Sequence, residues 1–106
     1  MNDQQQQQWA QVIENARQQA QPKPSCPQDW GATLKDAYIV QGLGLQQRPD
    51  DAVIGFKGAL TNQRVQETFG ATEPALGLLF ASSARPERVI QSADFTKGMI
   101  ETELGF

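Results

Sequence analysis

Three prolines fall within six residues near the start of the chain, in the stretch Gln21-Pro22-Lys23-Pro24-Ser25-Cys26-Pro27. Proline cannot continue a helix, and it pushes the residue before it into extended backbone. Whatever precedes this stretch must therefore end there, and whatever follows must begin afresh. The pattern predicts an N-terminal amphipathic helix over 1–20, a Pro-rich linker over 21–32 and a larger region over 33–106. At 106 residues the chain has room for one domain of ordinary size.

In the first part, Asp3 is the expected helix cap. Trp9, Val12, Ile13, Ala16 and Ala20 recur at helical spacing to form one apolar stripe, with Gln4 to Gln8 on the other faces. Beyond the linker, Thr33-Leu34-Lys35-Asp36 has the form of a helix start, with Asp36 favourable near the positive end of the helix dipole. Leu34, Ala37, Tyr38, Gln41 and Leu45 then follow at spacings of three and four, which predicts a second helix over about 34–47. Ala52-Val53-Ile54-Gly55-Phe56-Lys57 is β-branched and aromatic and reads as a strand. Thr61 or Asn62 can cap a two-turn helix carrying Val65 and Phe69, and Gly70 suits its left-handed end. Leu76-Gly77-Leu78-Leu79-Phe80 has the length of a buried strand, and Arg88-Val89-Ile90 reads as a short extended piece.

The last stretch, Met99-Ile100-Glu101-Thr102-Glu103-Leu104-Gly105-Phe106, is expected to be a strand. Side chains on a strand alternate, so Glu101 and Glu103 would share one face while Ile100, Leu104 and Phe106 point to the other. Neighbours on one face stand about 7 Å apart, close enough for two carboxylates to converge on a hard divalent cation. The same pattern also describes a half-buried strand with a solvated acidic face.

Composition narrows the chemistry. The net charge is −3, and the nine Lys and Arg residues are dispersed rather than clustered, which argues against nucleic acid and against anionic lipid as partners. There is no histidine, and Cys26 is the single cysteine. An internal disulfide, a thiolate–imidazole metal site and His-based acid–base catalysis are excluded. No apolar run approaches a membrane span, and the Gln-rich start lacks the features of a signal peptide, so a soluble cytoplasmic protein is expected.

Taken in order, the motifs resemble the opening part of the 2-keto-4-pentenoate hydratase family, within the fumarylacetoacetate hydrolase superfamily. Asp36-Ala37-Tyr38-Ile39-Val40-Gln41 is similar to that family's D-A-Y-x-x-Q helix, and Gly55-Phe56-Lys57-Gly58-Ala59-Leu60-Thr61 to its G-x-K-x-G-L-T segment. Val65-Gln66, Phe69-Gly70 and Glu73-Pro74-Ala75-Leu76-Gly77-Leu78-Leu79-Phe80 follow x-Q-x-x-L-G-x-x-x-P-D-F-G-x-L-F, and Glu101-Thr102-Glu103-Leu104-Gly105-Phe106 follows E-x-E-x-x-F. Ala75 and Ala59 stand where the family has aspartate and glycine.

The elements together predict an α+β fold, two or three helices on a small mixed β-sheet, and the resemblance implies that it is truncated before the family's β-rich C-terminal domain. It implies a hydro-lyase of aromatic catabolism that adds water to a 2-hydroxy-2,4-dienoate, with Mg²⁺ or Mn²⁺ as cofactor. Glu101 and Glu103 would be metal ligands, joined by a third carboxylate from beyond this chain. Lys57 would be the catalytic and substrate-binding cation, with Leu60 and Thr61 also binding substrate. The expected partners are a small 2-oxo or 2-hydroxy acid and a second copy or partner chain. A 2-oxo-acid decarboxylase of the same superfamily shares these residues. A non-catalytic self-association domain is the reading from a different class, motivated by apolar side chains such as Phe80, Ile90, Leu104 and Phe106.

Overall fold

The computed structural model describes all of residues 1–106. They form an α+β arrangement of three α-helices, three short 3₁₀ turns and one two-stranded sheet. The chain divides into two compact units, Met1–Arg48 together with Glu87–Phe106, and Pro49–Pro86.

In the first unit, helix α1 runs Asp3–Gln18 and helix α2 runs Leu34–Gln46. The cap of α1 is Asn2, one residue before the expected Asp3. Asn2 Oδ1 accepts from the Gln5 amide at 2.9 Å, and Gln5 Oε1 accepts from the Asn2 amide at 2.8 Å, so two backbone donors are satisfied reciprocally. A cap at Asp3 would need the Gln6 side chain for the same purpose. Gln6 is engaged elsewhere: its Nε2 donates to Asp36 Oδ1 of α2 at 2.8 Å.

The buried face of α1 is accordingly more polar than its apolar stripe suggests. Gln6, Ala10 and Glu14, four residues apart, are buried along with Ala16, while Trp9, Val12 and Ile13 are only half-buried. Glutamine at position 6 thus belongs to the packed face rather than the solvent side. Ala20 lies beyond the helix and is exposed. It adopts a left-handed conformation with φ 51°, while its amide bonds Arg17 O at 3.1 Å and the Gln21 amide bonds Ala16 O at 2.9 Å. These are the two bonds of a Schellman ending. The chain then runs extended through the prolines to a 3₁₀ turn, Gln28–Trp30, whose Trp30 ring meets Trp9 edge to face at 6.2 Å.

Helix α2 starts where the sequence predicts. Thr33 Oγ1 accepts from the Asp36 amide at 3.2 Å, and Asp36 Oδ2 accepts from the Thr33 amide at 2.9 Å. Its packed side is turned from the expected one: Asp36 and Val40 are buried, whereas Tyr38 and Leu45 are more than a third exposed. The bond from Gln6 to Asp36 sets that rotation. A polar contact between the helices, and not the apolar spacing of α2 alone, decides which face turns inward.

The C-terminal stretch of this unit forms no strand. Glu87–Phe106 contains a single 3₁₀ turn, Ser92–Asp94, and both 88–90 and 99–106 lack strand structure. The expectation of a strand over Met99–Phe106 is therefore corrected. A strand exists only by pairing its backbone with a neighbour, and the one sheet is the two-stranded one of the second unit.

In the second unit, strand β1 (Val53–Ala59), helix α3 (Gln63–Thr68) and strand β2 (Ala75–Phe80) follow in order. The strands pair antiparallel, not in a mixed sheet, with Phe56 opposite Leu78, Lys57 opposite Gly77 and an irregularity between Val53 and Gly55. Asp51 closes the open end of the hairpin by accepting from the Ser82 amide at 2.9 Å and the Ser82 hydroxyl at 2.6 Å. Asn62 caps α3 through its Oδ1, which accepts from the Arg64 amide at 2.9 Å. Gly70 ends α3 at φ 65°, with the Ala71 amide bonded to Gln66 O at 2.8 Å. No helix of the chain is long and apolar enough to cross a membrane.

Candidate functional site

Lys57, Leu60 and Thr61 come together because β1 ends between them. Alternation places Lys57 on the same sheet face as Gly55 and Ala59, and the register adds Ala75, Gly77 and Leu79 from β2. Its alkyl stem therefore rises from a floor of glycine and alanine, flanked by one leucine, and the side chain is half-buried. Four residues that offer no bulk leave space beside the Lys57 stem.

The chain then turns at Leu60, which has φ 55°. A non-glycine side chain in the left-handed region meets the following carbonyl, at a cost of about 1–2 kcal/mol. Leu60 and Ala20 are the two such residues in this protein. The left-handed turn at Leu60 is held from α3: Gln66 Nε2 donates to the Leu60 carbonyl oxygen at 2.6 Å. The Thr61 methyl also closes against β1, 3.6 Å from where a Cβ on Gly58 would stand. Lys57, the strained Leu60 and Thr61 are thereby anchored to the first turns of α3. Gln66 is a residue whose role composition and periodicity do not reveal. The signal available was the match of Val65-Gln66 to the x-Q pattern, on α3 six residues after Leu60.

Glu101 and Glu103 belong to the other unit and are exposed. Without a strand, alternation no longer sets their side chains on one face. Nowhere does the chain gather three or more histidine, cysteine, aspartate or glutamate side chains where an ion could be held. The residues present supply at most a pair of carboxylates and do not make a metal site by themselves.

Two carboxylates, Glu14 on α1 and Asp36 on α2, are held by dense sets of partners. Glu14 is buried and accepts from Arg17 Nε at 2.9 and 3.0 Å, from Gln18 Nε2 at 3.1 Å and from Arg48 Nε at 2.9 Å, with a further ion pair to Arg17 Nη2. The Arg17 bonds, reinforced by Gln18 and Arg48 against the cost of burial, lower its pKa to about 2. Asp36 is held well below the usual carboxylate range, first by the Thr33 hydroxyl at 2.6 Å and the Thr33 amide, then by Gln6. The chain's terminal ammonium is 3.5 Å from the same carboxylate. Every oxygen of both acids is used by partners within the fold, so these carboxylates join helices rather than await a ligand. Asp36 of the D-A-Y-x-x-Q motif is a cap and a helix-to-helix tie.

No model of a known protein family matches this chain, and no match to it was found among curated proteins.

Proposed function

We propose that this chain is the N-terminal region of a divalent-metal-dependent hydratase that acts, in the cytoplasm, on small 2-hydroxy-2,4-dienoates. The observation that supports the reading is the bond from Gln66 to the Leu60 carbonyl. It joins two segments that resemble the family independently, the G-x-K-x-G-L-T run and the glutamine of the following helix. It does so at a strained residue beside Lys57, and stored backbone strain of this kind concentrates at functional sites.

In this reading the Lys57 ammonium binds the substrate carboxylate or moves a proton at the neighbouring carbon, a role suited to a cation on a flexible stem above an open floor. Leu60 and Thr61 line the turn that the substrate passes. Mg²⁺ or Mn²⁺ would supply polarisation of the 2-oxo group, with Glu101 and Glu103 as two of its ligands. That role requires Met99–Phe106 to pair with a further strand, so that the two carboxylates share a face.

The test is Mn²⁺ binding by calorimetry on the chain joined to, or mixed with, a polypeptide that supplies the pairing strand and a third carboxylate, repeated with Glu101→Gln and Glu103→Gln. Saturable binding to one site that is lost in both variants is the expected result. Binding that both variants keep would remove the metal ligands and with them the hydratase reading.

A further inference from the structure

We draw no further inference here: the strongest candidate, the exposed proline stretch over residues 22–25 that runs between α1 and the Gln28–Trp30 turn, carries nothing because nothing in the structure shows what covers it.

Discussion

The side-chain amide of Gln66 donates to the main-chain carbonyl of Leu60 at 2.6 Å, and Leu60 sits in the left-handed region at φ 55°. The two facts belong together. A leucine is held in a conformation it disfavours by about 1–2 kcal/mol, and one hydrogen bond from the next helix, with a net worth of about 1 kcal/mol, offsets much of that cost. Gln66→Met, which keeps the length and removes the donor, is expected to destabilise the second unit by about 1 kcal/mol and to speed amide exchange across 57–62. Leu60→Gly should restore stability in the Gln66→Met background, since glycine adopts this conformation freely. Exchange rates at 57–62 that do not respond to Gln66→Met would show that the turn is held by other contacts.

The two Schellman endings offer a matched comparison. α3 ends on Gly70 at φ 65°, and α1 ends on Ala20 at φ 51° with the same pair of backbone bonds. Glycine pays no Cβ penalty at this position, whereas alanine does. Ala20→Gly is expected to stabilise the first unit by about 0.5–1 kcal/mol, and Gly70→Ala to destabilise the second by about 1 kcal/mol. Urea titrations of the two variants read both signs. Equal signs would mean that the unfolded chain, rather than the cap, dominates.

Acid should loosen the helix pair. The Arg17, Gln18 and Arg48 contacts hold folded Glu14 near pKa 2, against an ordinary value of 4.5. The depressed value means that the unfolded state takes up protons first as pH falls, so folding stability declines. The contribution of Glu14 is fully present above pH 4.5 and is lost progressively as pH falls toward 2. Asp36 acts in the same direction. Thermal melts between pH 6 and pH 2 should show a falling midpoint, and Glu14→Gln should reduce that slope while lowering stability at neutral pH by about 1–3 kcal/mol through the unmet guanidinium donors. A variant that keeps the full slope would assign the acid sensitivity to other groups.

Much of this architecture could be read from residue order. Thr33 with Asp36, Asn62, Gly70 and the proline run each act within four or five residues, where cap and turn chemistry is local, and β1 and β2 fall on their β-branched and apolar runs. What could not be read depends on partners distant in sequence. Gln6 reaches Asp36 thirty residues on and Glu14 reaches Arg48 thirty-four residues on, so the buried face of α1 is polar at two of its four positions. No apolar periodicity reports that. The predicted strand over 99–106 failed for a related reason, since alternation describes how a strand would present its side chains and cannot supply the neighbour it pairs with. The candidate site divides the same way: Lys57, Leu60 and Thr61 were legible as one local segment, whereas the role of Gln66 needed the fold.

Lys57 provides the sharpest separation between the hydratase reading and a purely structural one. The lysine stands over Gly55, Gly77, Ala59 and Ala75, so removing its charge disturbs little packing. Lys57→Met keeps the alkyl stem against the sheet and should cost no more than about 1 kcal/mol of stability, the upper weight of a partly exposed polar contact. In a preparation that turns over a 2-hydroxy-2,4-dienoate, the same substitution should lower kcat/KM by about 10²-fold or more, the usual weight of a positioned proton-transfer or carboxylate-binding group. Lys57→Arg separates those two roles. It should retain carboxylate binding, visible as a nearly unchanged KM, while losing kcat if the ammonium moves a proton. A Lys57→Met protein with full activity would place the chemistry elsewhere in the chain.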